Sequence, residues 1–269
     1  MAELDPPIRE YYERGEEVDR LASAFPSGPL ERARTQELVQ RHLPAGELDI
    51  LDVGGGPGVY AAWLATRGHR VHLVDPIPLH VEQARAASAA ITAETGDARA
   101  LSQADESVDV ILLLGPLYHL TDRSDRMLAL REAHRVLRPG GVIFAAAISR
   151  FAALFDLLVR LDRLHEPAIL ATVEAAIETG VFRGDVGGLF TNAYFHLPHD
   201  LEVEVSEAGF RLEQIYNVEG PGFLVHDFPE RWQDPSRRDV LLRVARLVET
   251  EPLLLAALSH LLAVGSASA

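Results

Sequence analysis

Leu51-Asp52-Val53-Gly54-Gly55-Gly56-Pro57-Gly58 closes a short apolar run and opens a helical stretch. Glycines at such a junction permit a tight turn and let a ligand approach the backbone, while the following helix offers free N–H groups. The next apolar run ends at Asp75, about 20 residues on, where a carboxylate can accept both hydroxyls of a ribose. A dinucleotide-binding loop asks for glycine at its first, third and sixth positions. Gly54 and Gly56 satisfy the first two, but Val59 stands at the sixth. That last glycine lets helix and strand pack closely beside a pyrophosphate, so its replacement argues against a dinucleotide.

Outward from this loop the pattern alternates. Apolar, β-branched runs at 48–53, 71–74, 108–114 and 141–148 are separated by stretches of helical period at 59–66, 79–90 and 124–137. Near-continuous apolar strands separated by helices predict an α/β fold, a mostly parallel sheet covered on both faces. The spacing divides the chain into N-terminal helices over 1–44, the sheet-forming core over 45–149, a helical cap insertion over 150–196, completion of the core over 197–228, and C-terminal helices over 229–269. In the first segment one helix carries Ile8, Tyr11, Tyr12, Val18 and Leu21, ends at the Pro26–Pro29 cluster, and precedes another over 30–43. In the cap, apolar positions from Phe151 to Leu161 predict one amphipathic helix, and Pro167 starts another that Gly180 ends. A glycine-rich loop over 184–188 follows. Beyond a helix at 198–208, the runs 210–218 and 222–228 around Gly220-Pro221-Gly222 read as an antiparallel strand pair at the sheet edge, with the last strand reversed. Residues 235–249 and 252–264 read as helices, and the last five residues as a frayed end.

Composition excludes several chemistries. The chain has 269 residues and no cysteine, so thiol nucleophiles, disulfides and thiolate metal sites are absent. All 25 basic residues are arginine, which removes Schiff-base lysines and the phosphate-binding P-loop. A net charge of −15 repels phosphate backbones, so no nucleic-acid partner is expected. The acidic start without an apolar core and the lack of an uninterrupted run of ~20 apolar residues predict a soluble, cytoplasmic chain without a membrane partner. The histidines show no metal-ligand spacing, and no metal is expected.

The segment Asp52-Val53-Gly54-Gly55-Gly56-Pro57-Gly58 resembles the first motif of class I, Rossmann-like, S-adenosylmethionine-dependent methyltransferases, here of the small-molecule type. Asp75, then Gly96-Asp97-Ala98, then Asp109 to Leu114, then Leu137-Arg138-Pro139-Gly140-Gly141 match that family's later landmarks in order. The resemblance implies S-adenosyl-L-methionine as cofactor. It passes the backbone of Gly54 and Gly56 beside the methionine part and sets Asp75 on the ribose. Pro76 and Ile77 flank adenine, Asp97 and Ala98 meet its edge, and the Leu114 carbonyl faces the cofactor's amino group. It further implies that the N-terminal helix folds over the cofactor, placing Tyr12 there and Tyr11 toward substrate, and that Arg34 pairs with the cofactor's carboxylate.

In open α/β sheets ligands bind beyond the carboxyl ends of the strands, which puts Gly115-Pro116-Leu117-Tyr118-His119 next to the reacting methyl. Tyr118 and His119 are the candidate catalytic residues, since histidine titrates near neutrality and can take a proton. Nucleobase amine methylases carry Asp or Asn and Pro-Pro here, and catechol-type enzymes a metal-binding carboxylate; Gly115 offers neither. The reading is metal-independent methyl transfer to O, N or C of a small metabolite, by a monomer or homodimer, with His196 of the cap as a further substrate contact. The alternatives are a non-catalytic cofactor-binding scaffold and, more remotely, an NAD(P)-dependent oxidoreductase.

Overall fold

The computed structural model describes residues 5–15, 17–21, 27–184, 186 and 189–268. Pro26 and three residues of the 184–188 glycine loop lie outside them. The N-terminal segment forms α1 (Pro6–Tyr12), the single turn α2 (Glu17–Asp19) and α3 (Gly28–His42). Two short helices thus replace the one expected before α3, because Gly15 turns the chain at φ +76° between them.

The core alternates as expected, with β3 and the short α6 added to the expected strands and helices: β1 (Asp49–Val53), α4 (Val59–Ala65), β2 (Arg70–Asp75), α5 (Pro78–Ala87), β3 (Ile91–Thr95), β4 (Val108–Leu113), α6 (Pro116–His119), α7 (Arg123–Val136) and β5 (Leu137–Ser149). Side chains alternate across the sheet. Leu51, Val53, Ile111 and Leu113 join one buried cluster with α7. Ile50, Val110, Leu112 and Phe144 join the other with α3, α4 and α5.

The cap runs through α8 (Ala152–Phe155), a π turn at Asp156–Arg160, α9 (Pro167–Thr179), β6 (Val181–Phe182) and β7 (Ala193–His196). The 151–161 helix is therefore a single α turn followed by a π turn. Gly180 ends α9 in the left-handed conformation at φ +84°. The chain closes with α10 (Pro198–Glu207), β8 (Phe210–Asn217), a 3₁₀ turn at Gly220–Leu224, α11 (Phe228–Gln233), α12 (Pro235–Val248), α13 (Pro252–Leu255) and β9 (His260–Ala267).

The sheet runs β3-β2-β1-β4-β5-β9-β8, with β7 and β6 flanking the far end of β5. Among the described residues, only the β9 pairings with β5 and β8 are antiparallel in the main sheet. The reversed last strand is thus present but lies elsewhere than expected. Residues 222–228 form no strand, since the 3₁₀ turn there occupies the chain. Residues 260–267, read as a helix with a frayed end, form the reversed strand between β5 and β8. Leu261 through Ala267 are all buried, and a strand flanked on both sides and covered on both faces shows no alternation by which to separate it from a buried helix.

Candidate active site

Three glycines shape the loop after β1. Gly54 has φ +69°, and a Cβ there would come within 2.7 Å of Pro116 Cδ. Gly58 caps α4 at φ +84° with Ala84 Cβ 3.0 Å from where its own would be. The loop consequently lies flat against α5 and α6, and a cavity of about 450 Å³ opens above it. That volume lies in the range of small-molecule and cofactor sites.

Gly54, Gly56, Asp75, Pro76 and Ile77 line the cavity on the β1–β2 side, and Asp97, Ala98 and Leu114 line it further on. Asp75, 4% exposed, is held by three donors. The Gly56 N–H gives to Oδ2 at 2.9 Å, the Ile77 N–H to Oδ1 at 2.9 Å, and His80 Nδ1 to Oδ1 at 3.1 Å. Burial alone would raise the Asp97 carboxyl, but the guanidinium and backbone N–H of Arg99 hold it below its ordinary value. Asp52 is fully buried under Gly55, and among the described residues only the Ala61 backbone N–H acts favourably on its carboxyl. Burial, then the charge of Asp75, pushes it up to about 7.

Tyr12, Tyr118 and His119 close the cavity on the other side. The Tyr12 hydroxyl lies 2.6 Å from His119 Nε2, and the Tyr12 ring meets the His80 ring edge-on at 5.4 Å. Helix α1 is thereby pinned over the site by α5 and α6 at once. Burial holds the His119 imidazole down at about 3, and its Nε2 is occupied by Tyr12. That environment favours the neutral imidazole in the folded chain. Burial likewise pushes the Tyr118 hydroxyl up.

Two expected contacts fall elsewhere. Arg34, on α3, is fully buried, donates to the Val218 carbonyl at 3.3 Å, and pairs with Glu37 and Glu249. A guanidinium cannot shed its charge, so burial forces it onto carboxylates, and it locks α3 to the end of α12. His196 is also fully buried, with Nε2 3.3 Å from Glu204 Oε2 and its ring against Tyr194. It belongs to the packing between the cap and α10.

A second cavity of about 290 Å³ adjoins the first, and Tyr12, Glu17 and Arg20 line both. Tyr11, Phe182, Phe190, Phe195 and Phe223 wall it. At one end Arg20 gives two bonds to Glu31 (2.7 and 2.9 Å) and one to Glu17 (2.6 Å). Beside them, His260 Nδ1 lies 2.5 Å from Glu219 Oε1. Glu31, Glu219 and His260 bring ligand-type atoms within 4.8 Å of one another, but the chain's own cations already occupy these carboxylates. Burial alone would lower His260; Glu219, then Glu31, raise it to about 9, with Arg20 opposing. The imidazolium is favoured in the folded state over an unfolded value near 6.5, so its contribution is complete below that pH and disappears as pH rises through about 9. Wild type is expected to lose about 2 kcal/mol between pH 7 and 10, read as a falling Tm. Glu219→Gln should lower Tm at pH 7 and flatten this slope; an unchanged slope refutes the assignment.

Sequence reasoning missed Glu17, Arg20, His80, Glu219 and His260. His80 was within reach, five residues beyond Asp75 on a helix that starts at Pro78. The others depend on contacts between segments distant in sequence.

A doubly wound sheet with one reversed strand, a glycine loop after β1 and acids at the ends of β2 and beyond β3 define the class I S-adenosylmethionine-dependent methyltransferase fold. Comparison with known proteins agrees. Residues 50–141 match the family model described as a methyltransferase domain. An uncharacterized methyltransferase of Mycobacterium tuberculosis is 38% identical over 117 residues, which are 42% of this chain and 46% of that protein. A ubiquinone biosynthesis O-methyltransferase of Azorhizobium caulinodans is 27% identical over 73% of this chain and 75% of its own. The crystal structure of an S-adenosylmethionine-dependent methyltransferase from Methanosarcina mazei superposes with a TM-score of 0.59 at 17% identity, over 86% of this chain and 97% of that one. The match to the mycobacterial relative spans about half of that protein's length. Residues 50–141 thus match a methyltransferase domain, the fold is the one shared with Rossmann-like S-adenosylmethionine-dependent methyltransferases, and S-adenosylmethionine is the cofactor this likeness implies. Among the described residues no helix is long and apolar enough to cross a membrane.

Proposed function

We propose that the chain transfers the methyl group of S-adenosylmethionine to O, N or C of a small, largely apolar acceptor by direct displacement, without a metal. One observation carries this reading: the second cavity is walled by aromatic rings and shares Tyr12, Glu17 and Arg20 with the first. An acceptor seated there lies next to the cofactor, behind the α1 helix.

The residues present fit the cofactor. The glycine loop leaves room that a Cβ would fill, and His80, which lines the cavity, has a buried Nε2 with no hydrogen-bonding partner among the described residues. When bound, S-adenosylmethionine supplies an electrophilic methyl on a sulfonium centre. The chain's own work is then to bind, orient and exclude water. Asp75 holds the ribose, and Asp97 with the Ala98 backbone meets the adenine edge. The backbone at Gly54, Gly56 and Leu114 borders the methionine part. Arg20, at the junction of the cavities, takes the place that the resemblance gave to Arg34. Tyr12, Tyr118 and His119 align the acceptor and keep water out. The His260–Glu219 pair gives an acceptor's polar atom a charged hydrogen-bonding partner at the far wall. The aromatic lining, and the ubiquinone biosynthesis O-methyltransferase among the relatives, favour an aromatic ring with a nucleophilic substituent.

The test combines S-adenosylhomocysteine calorimetry with transfer of labelled methyl to a panel of phenols, catechols and aromatic amines. Ala153→Trp, which fills the second cavity, should retain S-adenosylhomocysteine affinity within about twofold while transfer to any accepted compound falls at least tenfold. Unchanged transfer in that variant rules out the second cavity. Tight S-adenosylhomocysteine binding without transfer to any compound favours the non-catalytic scaffold.

A further inference from the structure

We propose that His80 is a second ribose ligand, so that the two ribose hydroxyls are shared between Asp75 Oδ2 and His80 Nε2 instead of both falling to Asp75. This rests on the cofactor reading above and concerns a side chain outside the motifs that carry the family resemblance.

The argument begins with acceptor capacity. A carboxylate offers about four lone-pair sites, two per oxygen. The Ile77 N–H and His80 Nδ1 use both sites of Asp75 Oδ1, and the Gly56 N–H uses one of Oδ2. One site remains, whereas a ribose brings two donors. The second hydroxyl therefore needs another acceptor close to Asp75.

His80 meets that need. A carboxylate only accepts, so the proton between His80 and Asp75 sits on Nδ1; in the neutral ring this leaves the lone pair on Nε2. His80 is 2% exposed and lines the cofactor cavity, and its Nε2 is buried with no hydrogen-bonding partner among the described residues. A buried acceptor left without a partner costs on the order of 1–3 kcal/mol, a cost that a hydroxyl donor arriving with the cofactor would remove. Asp52 is also buried, but its carboxylate lies beneath the loop: a Cβ on Gly55 would come within 2.7 Å of Asp52 Oδ2. His80 instead enters from the first turn of α5 on the same side as the Asp75 carboxylate, and its ring also meets Tyr12 of the closing helix.

Two variants separate the roles of the ring nitrogens. Asparagine at this position can still donate to Asp75 but has no counterpart of Nε2, whereas phenylalanine fills the space and has neither function. Wild type, His80→Asn and His80→Phe are titrated by calorimetry with S-adenosylhomocysteine and its 2′-deoxy and 3′-deoxy analogues, with thermal melts confirming that each is folded. His80→Asn should bind S-adenosylhomocysteine about 3- to 10-fold more weakly and bind one of the two deoxy analogues as wild type does. His80→Phe should lose more on every ligand, because Asp75 then loses a donor. Wild-type affinity of His80→Asn for S-adenosylhomocysteine, or an equal loss on the parent and both analogues, overturns the proposal, the second result leaving His80 only a brace for Asp75. Failure of folded wild type to bind S-adenosylhomocysteine would be a different result, overturning the cofactor reading and this inference with it.

Discussion

Asp75→Ala is expected to weaken S-adenosylhomocysteine binding at least 100-fold, measured by calorimetry on a variant that still melts cooperatively. The carboxylate is 4% exposed and does two things at once. It offers the ribose a charge-assisted acceptor, a bond worth about 1.5–3 kcal/mol. Its two oxygens also hold the Gly56 N–H and His80, so alanine frees the glycine loop as well. Ordering that loop on binding then adds to the loss. Asp75→Asn keeps the volume but must turn an amide N–H toward one of the three donors, and should fall between wild type and alanine. Affinity within threefold of wild type in the alanine variant would remove Asp75 from the binding site.

The largest stability effect is expected at Arg126. This side chain is 2% exposed and gives bonds to Glu204 at 2.8 and 2.9 Å and to the Leu120 and Thr121 carbonyls at 2.9 Å. Its guanidinium carbon lies 3.7 Å from the centre of the Tyr194 ring. It therefore joins the end of α6, helix α7, β7 of the cap and α10. Burial alone would raise the Glu204 carboxyl, yet bonds from His196 and Arg126 hold it at about 2. Arg126→Leu leaves that carboxylate buried beside an apolar side chain, and removing one partner of a buried pair costs about 3–5 kcal/mol. Tm should fall by roughly 10 °C. Arg126→Leu combined with Glu204→Leu should recover part of the loss, because the uncompensated charge is then gone. A single variant that melts within 2 °C of wild type refutes this account.

Much of the site was legible before any coordinates. The α/β alternation over 48–149 is a pattern of local period, and β1, β2, β4 and β5 lie within a few residues of it, whereas the short β3, of mixed polar and apolar residues, falls outside it. Gly54, Gly56, Asp75, Asp97 and Leu114 stand at loop positions where a parallel sheet directs its ligand-binding edge, and each lines the cavity. Arg34 and His196 misled because a polar residue in a sequence carries no sign of its burial. Both lie within buried polar networks whose partners, Glu249 and Glu204, are 215 and 8 residues away.

Composition and period thus determined the fold class, the loop that receives the ligand, and the absence of thiol and lysine chemistry, since these depend on residue type and local spacing alone. The tertiary structure decided what faces that loop. Because β9 runs against its neighbours, its first residue, His260, comes to the carboxyl edge of the sheet beside Glu219. Because α1 folds back across the core, Tyr12 reaches His119, 107 residues further on. Neither placement has a local signature: each arises from apolar segments being buried on both faces, which brings distant polar side chains together at the edge that remains open.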